Sequence, residues 1–262
     1  MYRGFNLKAK YSDNNEELRK IGLSLNSDFE KDIKEKLNGF ILNEGVISAT
    51  SIMENWFPQI KADIFLSHSH KDENTALILA GWLYKEMNIK TFIDSTIWGY
   101  SNDLLNKINK KYCYNEERKT YNYEKSKNAS IHVNLMLSTA LNRMIDNCEC
   151  IFFLNTPNSI SSKGTIDKTY SPWIFSEIST TQIIKKKTPK RLKLKTVMFS
   201  ENVQLNENKR SELLIEYDIE LSHLMDLDSD DIKKWISTNR RIPMNPLDTL
   251  YIQHPIDKKF KI

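Results

Sequence analysis

Short apolar runs that alternate with helical patterns constrain the fold of this chain more than any other feature. The segments IFL at 64–66, IKTFID at 89–94 and ECIFFLNT at 149–156 are β-prone, and polar residues follow each of them abruptly. Between the first two, ENTALILAGWLYKEM at 73–87 repeats its apolar residues every three or four positions, which predicts an amphipathic helix that Asp72 can cap. Strand, helix, strand, loop and helix in this order predict a doubly wound α/β sheet of parallel strands.

The rest of the chain extends this organisation at both ends. Apolar periodicity over residues 13–60 predicts an N-terminal helical segment, which we bound at 1–60. We expect the sheet domain at 61–200, with a surface insertion near 109–130. LKLKTVMF, at 192–199, can form a fourth strand. Residues 201–262 are polar and are expected to form a C-terminal extension that packs on the sheet domain.

Composition excludes several functional classes. Lys and Arg total 38 and Asp and Glu total 34, a balance that does not favour a nucleic-acid-binding tract. No apolar run approaches the roughly 20 residues that span a bilayer, and the first residues lack the apolar core of a signal peptide, so we expect a cytoplasmic protein without a membrane partner. Cys113, Cys148 and Cys150 are expected to be buried free thiols, and no His–Cys cluster has the spacing of a metal site.

Ligands of an open parallel sheet bind at the loops that follow the carboxyl ends of the strands. The first such loop offers hydroxyl, imidazole and ammonium groups, the second an acid and an indole, and the third leads into YSPWIFSEIS, where a carboxylate lies four residues after a Trp on one helix face. The candidates are Ser67, His68, Ser69, Lys71, Asp94, Trp98, Trp173 and Glu177.

Taken singly, each candidate also suits an ordinary structural role. The Ser and His residues could form a polar turn, Trp98 could cover the core, and Glu177 could be a solvated helix residue. His68 and His70 lack a third metal ligand nearby. The chain contains neither GxGxxG, GxxxxGK[ST] nor GxSxG, which argues against common dinucleotide-binding, P-loop and α/β-hydrolase sites.

The motifs in combination resemble those of TIR (Toll/interleukin-1 receptor) domains. ADIFLSHSHKD resembles the first box of that family, and KTFID with STIWGYSNDLLNKI resembles its second strand, BB loop and following helix. NCECIFFLNTPNSI is similar to the third strand, and SPWIFSEI to the W-x-x-x-E motif that opens the next helix. The resemblance covers about residues 61–199 and implies a flavodoxin-like open parallel sheet with helices on both faces.

The pattern is most similar to stand-alone bacterial TIR proteins of antiviral defence, of the Thoeris kind. The resemblance implies an enzyme that cleaves the nicotinamide–ribose bond of NAD+ as its substrate, without a cofactor, and releases ADP-ribose or a cyclic or modified ADP-ribose signal. Glu177 would be the catalytic residue and Trp173 would hold the motif. Trp173 and the other six candidates would contact substrate, with Lys71 near a phosphate and Trp98 stacking on a base or forming a subunit contact.

The same resemblance leaves a second interpretation open. Some TIR domains are non-catalytic adaptors, in which case Glu177 is a helix residue and Trp98 part of a binding surface. For the enzyme, the resemblance implies self-association through TIR–TIR contacts and a downstream effector that senses the product. Hydrolase and cyclase activities are not separated by the sequence.

Overall fold

A computed structural model of the chain describes residues 1–8, 15–27, 48–56, 61–93, 95–161, 167–192, 216–242 and 244–256. For residues 51, 54–56 and 96–100 it describes the backbone only. The strands are β1 (Arg3–Leu7), β2 (Ile64–Ser67), β3 (Thr91–Ile93), β4 (Tyr114–Asn115), β5 (Thr120–Tyr121), β6 (Cys150–Leu154), β7 (Lys168–Thr169), β8 (Tyr217–Asp218) and β9 (Met225–Leu227). The helices are α1 (16–27), α2 (Ala49–Trp56), α3 (Glu73–Met87), α4 (Ser95–Ile108), α5 (Tyr123–Asn147), α6 (Pro172–Ile183), α7 (Ser229–Asn239) and α8 (Pro246–Gln253).

Among the described residues, five parallel strands form the central sheet, in the order β3-β2-β6-β1-β9. This confirms the predicted α/β class and the parallel sheet, and the arrangement is compatible with a flavodoxin-like fold. The three apolar runs of the sequence form β2, β3 and β6, and the predicted amphipathic helix is α3. These runs are buried because strands of a parallel sheet are covered by helices on both faces.

The N-terminal segment differs from the expected helical segment at 1–60. Residues of α1 and α2 are helical, but β1 is a strand within the sheet, where Phe5 pairs with Phe152 of β6 and with Met225 of β9. Strand β1 therefore occupies the position next to β6. Residues 193–199, which contain most of the predicted fourth strand, lie outside the described residues.

Two apolar cores cover the sheet, one on each face. Side chains alternate along a strand, so Phe65 and Phe153 point to one core while Leu66 and Phe152 point to the other. The first core contains residues of α2, α4, α5 and α6, and we call this side of the sheet the α5 face. The second contains residues of α3, α7 and α8, and we call it the α3 face. The residues of β9, α7 and α8 thus belong to the same packed unit as the sheet.

One of two segments between β3 and β6 departs from the sequence expectations. STIWGYSN, at 95–102, is predicted as a loop, but α4 begins at Ser95, directly after the second strand region. The expected insertion near 109–130 contains a π-helical turn at Asn109–Cys113, a hairpin of β4 and β5, and the start of α5. The side chain of Asn122 caps α5 by accepting a hydrogen bond from the backbone N–H of Lys125 at 3.0 Å.

Across the parts of the chain that the structure describes, no helix combines the length and hydrophobicity required to span a bilayer.

Candidate functional site

The strands of the central sheet all end at one edge, the carboxyl edge, where the sequence predicts the site. Ser67 is the last residue of β2 and lies beside Phe153 of β6. Because it alternates with Leu66, its side chain points to the α5 face. The Ser67 side chain is fully buried, and its hydroxyl has no hydrogen-bond partner among the described residues. A buried hydroxyl without a partner costs about 1–3 kcal/mol, which makes this position a candidate for a ligand contact.

The loop after Ser67 divides into buried and exposed residues. His68 is buried, whereas His70 and Lys71 are exposed. The hydroxyl of Ser69 accepts a hydrogen bond from the backbone N–H of Lys71 at 3.4 Å and so caps the short 3-10 turn His70–Asp72. Ser69 therefore has a local structural role, while the exposed ammonium group of Lys71 is open to an anion.

Asp72 does not act as the side-chain helix cap that the sequence predicts. It occupies the N-cap position of α3 but makes no side-chain hydrogen bond to the helix. Its carboxylate instead accepts hydrogen bonds from the Thr156 hydroxyl at 2.5 Å and from the Asn158 side-chain amide at 2.6 Å. Both donors lie in the loop after β6, so the acid joins two loops of the carboxyl edge. Sequence reasoning missed this contact because the partners are more than 80 positions apart.

Glu177 lies on the buried side of α6. The helix begins with the Ser171 hydroxyl accepting a hydrogen bond from the Ile174 N–H at 3.3 Å and with Pro172 in the first turn, and both residue types are typical of a helix start. Ile174 and Ile178 enter the core of the α5 face, and Glu177, between them on the same helix side, is 1% exposed. Acids are rarely buried to this extent unless they are paired or functional.

Trp173 is half-buried and packs against the core of the α5 face, one helical turn before Glu177. Asp94 lies outside the described residues, and for Trp98 the structure describes only its backbone within α4. The predicted residues that the structure brings to one side of the sheet are therefore Ser67, Trp173 and Glu177.

The three cysteines are buried and free, as predicted. Burial raises the pKa of Cys148 to about 12 and raises the pKa of Cys150 well above its ordinary value. These thiols are consequently poor nucleophiles. In the described part of the chain, His, Cys, Asp and Glu side chains do not form any group of three or more that could hold a metal ion.

The chain was compared with protein-family models, with curated proteins and with solved structures. No match was found in any of the three comparisons.

A buried acid, a buried hydroxyl and an exposed ammonium group are thus associated with the carboxyl edge. An ionised carboxylate at Glu177 would supply negative charge for a developing cation, and the Ser67 hydroxyl can donate or accept a hydrogen bond with a polar ligand group. The exposed Lys71 can contact an anionic part of the same ligand.

Proposed function

We propose that this chain is a TIR-type enzyme that cleaves the nicotinamide–ribose bond of NAD+, with Glu177 as its catalytic carboxylate. The observation that carries the proposal is the burial of Glu177 on the α5 face, in a helix that starts at the carboxyl edge of the sheet. Ser67, with its buried hydroxyl, ends β2 on that same face. Open parallel sheets bind their ligands at this edge.

The reaction suits a single carboxylate. Breaking the bond between nicotinamide and ribose passes through an oxocarbenium-like state, so positive charge develops on the sugar. Nicotinamide leaves as a neutral molecule from a cationic precursor and needs no strong general acid. Glu177 would stabilise the growing charge and accept hydrogen bonds from ribose hydroxyls, and water or a nucleophile within the substrate would complete hydrolysis or cyclisation.

Burial strengthens the effect of the carboxylate. Few water molecules screen a charge at a site that is 1% exposed, so its field at a bound ribose is stronger than at the surface. One preorganised electrostatic contact contributes about 10²–10³-fold to the rate in other enzymes. Loss of the Glu177 charge should therefore lower turnover by about a hundredfold or more.

The same burial implies that the site is closed in this structure. Ser67 is 0% and Glu177 is 1% exposed, so a dinucleotide reaches them only after the groups above them move. We propose that self-association through TIR–TIR contacts accompanies this opening and that the isolated protein has low activity. The product would be a nucleotide signal, acting in antiphage defence on a separate effector. Full turnover by a demonstrably monomeric sample contradicts the link to assembly.

The experiment is a product-resolved NAD+ assay with a matched pair of variants. Glu177→Gln keeps the size of the side chain and removes the charge. Glu73→Gln makes the same change at a partly exposed acid in the first turn of α3, near the same loop. We expect nicotinamide release to fall by about a hundredfold in the first variant and to stay within about twofold in the second. Release that survives Glu177→Gln excludes the catalytic assignment, and chromatography of the products separates hydrolase from cyclase.

The burial of Glu177 is also consistent with a second candidate function. If Glu177 has only a structural role, the chain is a non-catalytic TIR interaction module. That interpretation predicts no nicotinamide release by the wild-type protein, either alone or assembled at high concentration. It also predicts that Glu177→Gln alters stability or self-association without any enzymatic effect.

A further inference from the structure

We propose that Asp72 is a positioning residue for Glu177, acting through a chain of hydrogen bonds that fixes the start of α6. This inference rests on the proposed function, because it assigns Asp72 a role in the same reaction. Asp72 itself lies on the other side of the first loop, before α3, and is not proposed to touch substrate.

The first hydrogen bonds of this series join the loops after β2 and β6. Asp72 is 6% exposed, and its two carboxylate oxygens accept hydrogen bonds from different residues, Thr156 and Asn158. The backbone of the same turn is also tied, since the Asp72 N–H donates to the Ser69 carbonyl at 2.8 Å. Hydrogen bonds to an ionised acceptor are stronger than neutral ones, so these contacts hold the second loop firmly.

The second step runs through Ser159, which is 2% exposed. Its hydroxyl accepts a hydrogen bond from the Thr156 N–H at 2.8 Å and is 3.0 Å from the carbonyl oxygen of Leu154, at the end of β6. The Ser159 carbonyl in turn accepts a hydrogen bond from the Thr169 hydroxyl at 2.8 Å. This hydrogen bond joins two residues that are ten positions apart in the sequence.

The third step reaches the catalytic helix. Thr169 is also 2% exposed, and its hydroxyl accepts a hydrogen bond from the Ser171 N–H at 3.2 Å. Ser171 is the N-cap of α6 and holds the N–H of Ile174. Less than two turns of helix lead from this cap to Glu177, so a shift of the cap is transmitted to the carboxylate.

The consequence for catalysis follows from the precision that the reaction needs. A displacement of about 1 Å at a catalytic group can cost about a hundredfold in rate. Asp72 is the anionic end of the chain of hydrogen bonds, and its removal leaves the donors on Thr156 and Asn158 without their acceptor. The loop can then relax, and with it the cap of α6.

The test compares three variants of the full-length protein. Asp72→Ala removes the acceptor, and the double variant Asp72→Asn with Asn158→Asp exchanges the two groups and can restore their hydrogen bond. Asp228→Ala is the matched control, because Asp228 caps α7 by accepting hydrogen bonds from the N–H groups of Asp230 and Asp231 and lies at the start of a different helix. If Asp72→Ala does not fold, Thr156→Val removes a single hydroxyl from the same contact.

Two measurements are made on each variant. Hydrogen exchange at the backbone amides within residues 171–175, of which Pro172 has none, reports the order of the α6 cap and does not depend on activity. Steady-state NAD+ kinetics separate kcat from KM. For Asp72→Ala we expect exchange at 171–175 to rise at least about tenfold and kcat to fall by about 10–100-fold, with KM changing less. The exchanged double variant should recover kcat to within about threefold of wild type, and Asp228→Ala should alter neither readout beyond about twofold.

Several results would overturn the proposal. Unchanged exchange at 171–175 in Asp72→Ala removes the coupling itself. Faster hydrogen exchange with an unchanged kcat would show that Asp72 has a purely structural role. The same conclusion follows if the double variant Asp72→Asn with Asn158→Asp does not restore kcat. A wild-type protein without Glu177-dependent turnover refutes the proposed function and the positioning role together, while the exchange data still decide whether Asp72 orders α6.

Discussion

Removal of the Arg191 guanidinium should destabilise the fold measurably, because this group holds together the edge of the sheet opposite the candidate site. Its NH1 and NH2 groups bind both oxygens of Glu149 at 2.7 and 2.5 Å, and its Nε lies 2.8 Å from Asp248. Glu149 lies just before β6, and Asp248 lies in α8. The hydrogen bonds to Glu149 raise the pKa of Arg191 above its ordinary value, so the guanidinium remains charged.

The magnitude follows from the exposure of the three side chains, which is 34% for Arg191, 20% for Glu149 and 10% for Asp248. Breaking a fully buried ion pair costs about 3–5 kcal/mol, because the remaining charge is left without a partner. An exposed pair contributes only about 0–1 kcal/mol. This cluster lies between the two cases, so we expect Arg191→Met to lower the free energy of unfolding by about 2 kcal/mol. The melting temperature should fall by about 4–8 °C.

The assay is urea and thermal unfolding at neutral pH, with Arg240→Met as the control. Arg240 contacts Glu86 at 2.5 Å, but its side chain is 67% exposed, so its loss should cost less than about 1 kcal/mol. Adding Glu149→Gln to Arg191→Met should recover part of the stability, because it removes one of the uncompensated charges. A loss of stability in Arg191→Met no greater than that in Arg240→Met would contradict this prediction, and so would a further loss when Glu149→Gln is added.

Two further predictions concern stability. Gly81 of α3 lies so close to α1 that a Cβ would stand 1.9 Å from the carbonyl oxygen of Leu18. Gly81→Ala should therefore lower the free energy of unfolding in urea by about 1–3 kcal/mol. An unchanged urea midpoint would contradict this and show that the helices separate freely. Burial lowers the pKa of His223 below its ordinary value of 6.5. The unfolded chain therefore binds more protons than the folded chain as the pH falls. The stability contributed by neutral His223 is complete above pH 6.5 and is lost below it. His223→Gln, which keeps a donor for the Thr181 hydroxyl 2.6 Å away, should flatten the fall in unfolding free energy between about pH 7.5 and 5.5, and an unchanged slope contradicts this.

The parts of the fold that could be predicted are those whose pattern is local. The buried run at 150–154 is apolar throughout, and α3 repeats its apolar residues over four turns, so each element identifies itself within a short window. The cap of α6 could be predicted equally well, since Ser171 and Pro172 are typical of a helix start.

Strand β1 could not be recognised in this way. Its sequence RGFNL contains an Arg, a Gly and an Asn, and its partners are about 150 and 220 positions away. Asn6 is buried only because distant groups satisfy its amide: Asp226 accepts from its Nδ2 at 2.7 Å, and Asn155 donates to its Oδ1 at 3.0 Å. The burial of a polar residue in a central strand can be explained only when its hydrogen-bond partners are known, and the sequence does not identify them.

The prediction for the start of α4 is wrong for a different reason. Residues 95–100 include Thr, Ile, Trp, Gly and Tyr, which have modest or low helix propensity, so the stretch resembles a loop. Tertiary context overrides such weak preferences. At the candidate site, the position of Glu177 on a helix face could be predicted from spacing, whereas the ties from Asp72 to the loop after β6 depend on the folded chain.

We propose that the carboxylate of Glu177 faces the ribose of bound NAD+. The most direct measurement is a crystal structure of the Glu177→Gln variant, which should bind NAD+ without cleaving it. We predict intact NAD+ at the carboxyl edge, with a ribose hydroxyl or the anomeric carbon about 3 Å from the amide that replaces the Glu177 carboxylate, and with the Ser67 hydroxyl in contact with the ligand. NAD+ bound elsewhere, or a substituted side chain still sealed in the α5-face core beside an occupied site, would contradict it.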